Sequence, residues 1–249
     1  MGYYHTVRMA IGEADIVMEV VDARFPKASR NFSLEHKIKM EKKKLLIVLN
    51  KSDLVSEEEV KKQKELAGTK SIFVSAKHRK GTRKLREALG MLSAGKEVKV
   101  AIIGYPNTGK SSIINMLKGK KSSPTSSTAG FTKGKQNVRI NSKIMLIDTP
   151  GVIPFGKHDQ TLMLLLGAKN VQQSEDIENA GAEAAQEMLS SNPKMLEDTY
   201  GIYASDGEDF LEKLALKKNK LLKKGRPDTT AAAKMLLNDF KEGKIGLKN

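Results

Sequence analysis

The 249-residue sequence contains no cysteine and no tryptophan, and aromatic residues make up only 5% of it. Without cysteine, the chain can form neither a disulfide framework nor a thiolate metal site, a composition typical of reducing compartments. No apolar run approaches the length that a helix needs to cross a bilayer. We therefore predict a cytoplasmic protein with no membrane partner. Apolar residues still make up 39% of the chain, which is enough for a real core.

Positive charge dominates, with 44 lysine and arginine residues against 29 aspartate and glutamate residues, a formal net charge of +15. The excess is uneven. Residues 1–154 carry +16 (30 basic, 14 acidic), residues 155–212 carry −9 (3 basic, 12 acidic) and residues 213–249 carry +8 (11 basic, 3 acidic). This balance favours a polyanionic partner, nucleic acid before membrane. Lysines that merely solvate helix faces are the alternative explanation for any single cluster.

A phosphate-binding pattern follows the apolar run at 98–103. Gly104–Ser112 reads GYPNTGKSS, which is a glycine, four variable residues, then glycine, lysine and serine. In such loops the glycines let backbone N–H groups wrap the phosphates, Lys110 reaches the terminal phosphates and the Ser111 hydroxyl ligates Mg²⁺. The residues from Ser112 onward can open a helix, which would direct its N-terminus at the anion.

A second motif, Asn50-Lys51-Ser52-Asp53, follows the apolar run at 44–49, where a buried parallel strand of an α/β protein would end. Guanine presents two adjacent donors, N1–H and the exocyclic amine, and the Asp53 carboxylate can accept both. Asn50 would tie this loop to the phosphate loop, while the aliphatic stem of Lys51 would cover the ring. Alone, the tetrapeptide also fits an ordinary turn with Asp53 near a helix N-cap.

Two further strand ends carry matching residues. Ser75-Ala76-Lys77 follows a short strand and can present a backbone N–H to the base carbonyl oxygen. Asp148-Thr149-Pro150-Gly151 follows a predicted hairpin, and there Asp148 can hold an Mg²⁺-bound water while the Gly151 N–H contacts the γ-phosphate. Residues 118–135 are predicted to be a mobile loop. From spacing alone, any of three threonines could close over the metal and the γ-phosphate: Thr125, Thr128 and Thr132.

In this order the motifs resemble the circularly permuted GTPases of the YlqF/RbgA type, a family of ribosome-assembly factors. Ordinary translation-factor-type GTPases carry the phosphate loop first, whereas here Asn50–Asp53 and Ser75–Lys77 precede it. Residues 21–31 (VDARFPKASRN) also resemble a characteristic segment of this family, as do residues 223–228 and 238–246.

The resemblance implies a circularly permuted Ras-like P-loop GTPase domain over residues 1–154, with a mostly parallel sheet and helices on both faces. A small all-helical domain over residues 155–249 would follow and bind ribosomal RNA. The expected function is hydrolysis of GTP to GDP coupled to assembly of the large ribosomal subunit, by a monomer. The alternative is a nucleotide-switched RNA-binding module or RNA chaperone with slow hydrolysis, and an ATPase is a third hypothesis.

The residues expected to contact GTP or GDP lie in these motifs. They are Asn50, Lys51, Asp53, Ser75, Ala76, Lys77, Asn107, Thr108, Gly109, Lys110, Ser111, Ser112, Thr132 and Gly151. The expected catalytic residues are Lys110, Thr132 and Gly151, and the expected Mg²⁺ ligands are Ser111, Thr132 and Asp148. Thr132 is assigned through the resemblance, because residues 129–132 (AGFT) are similar to the family's Pro-Gly-x-Thr.

Three other positions bear on the chemistry. Asn107 matches an asparagine that accompanies potassium stimulation in related GTPases, so K⁺ is an expected accelerator. Val152 stands where Ras-like enzymes carry a water-orienting glutamine, and an apolar residue cannot orient water. His5 does not align with the N-terminal histidine proposed to be catalytic in bacterial members, and we assign it no catalytic role.

Residues 210–224 alternate leucines with lysines and are predicted to form a helix. Its core side would hold Leu211, Leu214, Leu221 and Leu222. Its phosphate-binding side would hold Lys217, Lys218, Lys220, Lys223 and Lys224. A merely solvated helix is the alternative. Since the chain runs from Gly151 directly into the predicted C-terminal domain, nucleotide-dependent ordering would be felt from Phe155 onward.

Overall fold

The computed structural model describes residues 2–56, 58, 71–119, 136–153, 160–169 and 176–246. Contacts within the chain divide it into two units, Met1–Phe155 and Gly156–Asn249. In the described parts of both units, no helix has the length and apolar character needed to cross a membrane.

A six-stranded sheet forms the centre of the first unit. Its strands are β1 (Ile16–Asp22), β2 (Lys44–Asn50), β3 (Ser71–Phe73), β4 (Val98–Ile103), β5 (Gln136–Arg139) and β6 (Ile144–Asp148). They lie in the order β3-β2-β1-β4-β6-β5, with every neighbouring pair parallel except the β5–β6 hairpin. All positions of β1 are buried. This burial on both faces explains the near-continuous apolar runs of the central strands.

Helices cover both faces of the sheet. They are α1 (Tyr3–Glu13), α2 (Phe32–Met40), α3 (Thr82–Ser93) and α4 (Lys110–Lys118). Successive residues of β1 point to opposite faces. Val17 packs in a cluster with Ile11 of α1 and Ile38 of α2, whereas Met18 belongs to the cluster that contains Leu85 of α3 and Ile113 of α4. The predicted fold, a mostly parallel sheet with helices on both faces, is confirmed.

The parallel strands all end at one edge of the sheet. The register pairs Asp22 of β1 with Asn50 of β2, and Ile102 of β4 with Asp148 of β6. The loops that leave these strand ends therefore emerge side by side, which is where α/β proteins bind their ligands.

In the second unit, the described residues form helices and turns. The helices are α5 (Gln160–Leu165), α6 (Ile177–Ser191), α7 (Pro193–Tyr200), α8 (Gly207–Lys217) and α9 (Thr229–Glu242). Phe210 of α8 and Phe240 of α9 are fully buried, together with Met188 of α6 and Leu236 of α9. This apolar core accounts for the periodic apolar positions on each helix.

The tail segment at 238–246 joins two helices of this unit through a buried carboxylate. Asp239, on α9, is 8% exposed. Its Oδ2 accepts a hydrogen bond from the Tyr200 hydroxyl at 2.9 Å, and its Oδ1 accepts one from Lys244 Nζ at 2.8 Å. Burial, with the Asp239 carboxylate as acceptor, raises the pKa of Tyr200. The segment thus fixes the end of α7 against α9.

The prediction of one helix over residues 210–224 is wrong. Helix α8 ends at Lys217, and the chain then turns through left-handed backbone positions at Asn219, Lys224 and Gly225, with φ of 51°, 66° and 74°. Asparagine and glycine tolerate this conformation better than most residues. A turn with a short 3₁₀ segment at Lys223–Gly225 therefore replaces the predicted helix.

The predicted core assignment fails for two of the four leucines. Leu211 and Leu214 on α8 are buried, but Leu221 and Leu222 in the turn are 49% and 48% exposed. Every residue from 216 to 226 is exposed. We call this segment the basic turn, and its cations are Lys217, Lys218, Lys220, Lys223, Lys224 and Arg226.

Candidate nucleotide-binding site

The phosphate loop connects β4 to α4 with the backbone shape that its glycines permit. Gly109 has a φ of 97°, and a Cβ there would lie 2.1 Å from the Asn50 side-chain nitrogen. Thr108 is fully buried and its hydroxyl donates to the Tyr105 carbonyl at 3.0 Å. No side chain caps the N-terminus of α4, so its first N–H groups remain suited to an anion.

Lys110 is the first residue of α4 and is only 7% exposed. Its Nζ donates hydrogen bonds to the carbonyl oxygens of Gly104 and Tyr105, at 3.1 and 2.8 Å. Burial lowers the pKa of Lys110 to about 8, against the opposing effect of the Asp148 carboxylate. A phosphate beside this ammonium would add negative charge to its buried setting.

Asp148 and Gly151 bring the end of β6 to the same loop. The Thr149 hydroxyl donates to the Ile102 carbonyl at 2.6 Å, which fixes the turn against β4. A Cβ on Gly151 would lie 2.7 Å from Pro106 backbone atoms and 3.0 Å from Lys110 Nζ. Only glycine therefore fits at position 151 without displacing the phosphate loop.

The Val152 side chain lies in the core of the first unit. It is 5% exposed and packs in the cluster that contains Val7, Ile11 and Ile103. Its backbone N–H donates to the Gly104 carbonyl at 3.3 Å. The side chain of the residue after the Asp-x-x-Gly sequence thus packs in the core, and an apolar side chain cannot orient water.

One side chain links the predicted base-binding loops to the phosphate loop. Asn50 Nδ2 donates to the Thr108 carbonyl at 2.8 Å, and Asn50 Oδ1 accepts from the Ala76 N–H at 3.0 Å. The tie between the two loops that the sequence predicts is therefore present. With 3% exposure, this amide joins three stretches that are distant along the chain.

Asp53 lies in a 3₁₀ turn at Ser52–Leu54 that follows Lys51. The carboxylate Oδ2 lies 3.6 Å from Nε2 of His78, the residue after Ser75-Ala76-Lys77. Ser75 is fully buried and its Oγ accepts from the His78 N–H at 3.2 Å, while Lys77 is exposed. The two turns that hold the residues predicted for base recognition, at 52–54 and 75–78, thus lie next to each other.

The remaining predicted residues divide into two groups. Asn107, Ser111 and Ser112 lie in or next to the first turn of α4, partly buried, with Asn107 in a left-handed conformation at φ 60°. Thr125, Thr128 and Thr132 fall outside the described residues, as does the predicted mobile loop beyond Gly119. The switch and metal roles of Thr132 therefore stay predictions.

The available groups fit a bound nucleotide and Mg²⁺. Among the residues that the structure describes, no three His, Cys, Asp or Glu side chains are grouped to hold a metal ion. Mg²⁺ in nucleotide sites commonly takes one or two carboxylates, a hydroxyl, water and substrate phosphate oxygens. Asp148 and Ser111, the predicted ligands, would provide the carboxylate and the hydroxyl.

Three sets of contacts escaped sequence reasoning. The first is the contact of His78 with Asp53, for which the only signal in the sequence is that His78 directly follows Ser75-Ala76-Lys77. The guanidinium groups of Arg79 and Arg86 donate to the carbonyls of Met116 and Leu117, at 2.9 and 2.6 Å, and so cover the C-terminal end of α4. The third contact joins Asp22 to Lys51, and only the family-like segment at 21–31 pointed to it.

The sequence is similar to those of known GTP-binding proteins. Residues 99–180 match a family model described as 50S ribosome-binding GTPase. The chain is 40% identical, over 96% of its length, to an uncharacterized GTP-binding protein of Methanocaldococcus jannaschii, of which it covers 65%. It is 37% identical, over 94% of its length, to nucleolar GTP-binding protein 2 of Schizosaccharomyces pombe, of which it covers 45%. The chain thus spans about half to two thirds of these relatives.

A solved structure has the same fold over almost the whole chain. GNP-bound YlqF from T. maritima superposes with a TM-score of 0.67 and 28% sequence identity. The superposition covers 98% of this chain and 95% of that one. GDP-bound YlqF gives the same TM-score and identity.

Proposed function

Since this chain belongs to the circularly permuted GTPases of the YlqF family, we propose that it binds and hydrolyses GTP and acts in large ribosomal subunit assembly through nucleotide-gated binding of rRNA. The observation that carries the proposal is the position of Asn50. Its amide joins the phosphate loop at Thr108 to the turn at Ala76. One bound purine nucleotide would then be contacted at its phosphates by the phosphate loop and at its base by the turn at Ala76.

Each part of the proposed site has a role that its chemistry supports. Lys110 and the N-terminus of α4 bind the phosphates, and Asp53 accepts the two guanine donors. Ser111 and Asp148, together with Thr132, would hold Mg²⁺, and the bound ion would supply positive charge to neutralise the β- and γ-phosphates. The Gly151 N–H senses the γ-phosphate. The bound nucleotide would control RNA binding through the order of the chain, because the residues after Gly151 lead directly into the second unit.

We expect large ribosomal subunits to accelerate GTP hydrolysis at least about tenfold, equivalent to lowering the barrier by about 1.4 kcal/mol. Phosphate release measured with and without purified subunits, in K⁺ and in Na⁺ buffers, checks this and the expected stimulation by K⁺. A sedimentation assay with a non-hydrolysable GTP analogue should show the protein moving with the subunits.

Other outcomes favour the other hypotheses. Nucleotide-dependent RNA binding with no acceleration by subunits would indicate an RNA-binding module or chaperone that hydrolysis only resets. Preference for ATP over GTP in a competition titration would indicate an ATPase and contradict the role of Asp53.

The proposed RNA contact is the basic turn at 216–226. Its cations are exposed, and the described residues that precede it, 176–215, carry ten acidic residues and only two lysines. Within the second unit, polyanion binding should therefore concentrate on this turn. Neutralisation of phosphates by lysine gives strong salt dependence and little sequence specificity.

Replacing Lys220, Lys223 and Lys224 together by glutamine should weaken binding to large-subunit rRNA and reduce the slope of log K against log salt by about two. Filter binding across a KCl series measures both quantities. Lys194→Gln, an exposed lysine of α7 in the same unit, is the matched control and should leave the slope unchanged. An unchanged slope in the triple variant would remove the basic turn from the RNA interface.

A further inference from the structure

Asp22 is a buried carboxylate that the proposed nucleotide chemistry does not use. It ends β1, and its side chain has no solvent exposure. Oδ1 accepts hydrogen bonds from the backbone N–H and Nε of Arg24 at 3.1 and 3.0 Å. Oδ2 accepts from Arg24 Nη2 at 2.9 Å and from Lys51 Nζ at 2.7 Å. Four donors thus converge on one carboxylate.

The backbone around Asp22 is fixed relative to the end of β2. Asp22 pairs with Asn50 in the strand register, and the next residue, Ala23, donates its N–H to the Asn50 carbonyl at 2.8 Å. The Asp22 N–H donates to Ser29 Oγ at 3.0 Å, and the Ser29 hydroxyl donates to the Phe25 carbonyl at 2.7 Å. The carboxylate therefore has a set position beside the loop that begins at Lys51.

The electrostatics keep this carboxylate charged. Burial by itself would raise the pKa of Asp22, but the charges of Lys51 and Arg24 outweigh it and hold the pKa well below its usual range. The Arg24 side chain is 4% exposed and the Lys51 side chain 19%. The ion pair with Lys51 is thus shielded from water and salt more than a surface pair would be.

Lys51 is the second residue of the Asn-Lys-x-Asp motif and has a left-handed backbone, with φ 63° and ψ 33°. A lysine in this region is uncommon and needs support from its surroundings. The 3₁₀ turn that carries Asp53 begins at the next residue. Whatever fixes Lys51 therefore also fixes the start of the turn that presents Asp53.

From these contacts we infer that Asp22 is a positioning residue for base recognition, which acts by holding the ammonium of Lys51. With its head group held on the β1 side, Lys51 presents its aliphatic stem, and the turn after it, in one conformation to the purine. This inference rests on the proposed binding of a guanine nucleotide at Asp53. A purely structural role, in which Asp22 supports only its own turn through Arg24, is the competing explanation.

The test compares two probes, GDP and inorganic triphosphate, by calorimetric titration of Asp22→Asn, Lys51→Met and the double variant. Each single variant should weaken GDP binding about tenfold, as when the competent loop conformation falls to about a tenth of the population. Triphosphate binding should stay within about twofold of wild type, because the phosphate loop does not contain either residue. The double variant should bind GDP no more weakly than the singles, since both remove one interaction.

Two further variants sharpen the test. Asp22→Glu keeps the charge and should recover most of the GDP affinity lost in Asp22→Asn. Lys44→Met, the same substitution at the opposite end of β2, is the control and should bind both probes like wild type. If Asp22→Asn does not fold, Lys51→Met decides alone, and unchanged GDP affinity in that variant overturns the inference.

Other results would also overturn it. Equal losses of GDP and triphosphate affinity, or additive losses in the double variant, would assign Asp22 the purely structural role. Failure of the wild-type protein to bind GDP would instead overturn the proposed function, and this inference with it.

Discussion

Replacing Asp53 by asparagine should weaken GDP and GTP binding by about 1,000-fold and create a preference for xanthine nucleotides. The carboxylate can accept both N1–H and the exocyclic amine of guanine, whereas an amide offers one acceptor and one donor. Xanthine carries a carbonyl oxygen in place of that amine, so the amide can accept from N1–H and donate to the oxygen. Sites that hydrogen-bond a substrate group reject analogues that leave those bonds unmade by large factors.

Competition titrations of a fluorescent GDP analogue with GDP and XDP measure this change of specificity. Asp15→Asn is a suitable control, because Asp15 also belongs to the first unit but directly precedes β1, and its Oδ2 accepts from the Lys99 N–H at 2.8 Å. It should bind GDP like wild type. An Asp53→Asn protein with unchanged GDP affinity would remove Asp53 from the site.

Replacing Lys110 by methionine should weaken GTP binding by about 100-fold, which is the effect of losing a charge-assisted hydrogen bond to phosphate. Methionine keeps most of the length and apolar volume of lysine, so the loss is one of charge. The wild-type affinity should also depend on pH, because phosphate selects the ammonium form. Burial places the pKa of Lys110 at about 8 in the free protein. Affinity should therefore be highest below pH 8 and fall by up to about tenfold per unit above it.

Titrations of GTP between pH 7 and 9.5 measure both effects. The Lys110→Met variant should show a flat profile over this range at its lower affinity. Lys118→Met, at the last residue of the same helix and exposed, should keep the affinity and the pH profile of wild type. A wild-type profile in Lys110→Met would show that the pH dependence belongs to another group.

The sheet could be predicted from the sequence because each central strand is a short apolar run that ends in polar residues. Runs such as 44–49 and 98–103 require burial on both faces, and parallel strands with helical connections provide it. The same reasoning places Asn50, Ser75, Gly104 and Asp148 at one edge, because parallel strands end there together. These predictions need only local pattern and topology.

Contacts that depend on side-chain direction across distant loops could not be predicted this way. Asp22 and Lys51 are 29 positions apart, and nothing in either local sequence specifies the ion pair that joins them. The prediction that the leucines of the basic turn lie in the core failed for another reason. Their spacing continues the apolar period of α8, but Asn219 and Gly225 allow left-handed turns that end the helix and leave Leu221 and Leu222 at the surface.

The place of β1 between β2 and β4 has a consequence for how the pocket comes into being during synthesis. Asp22, Asn50, Asp53 and Ala76 are all made before the phosphate loop, and the carbonyl that Asn50 binds follows it by 58 residues. A nascent chain therefore carries the residues proposed for purine recognition before the phosphate loop exists. Pairing of β4 with β1 extends the sheet, before β5 and β6 are added, and delivers Thr108 to Asn50 in the same event. The contact that joins the two loops therefore forms only after the phosphate loop has been made.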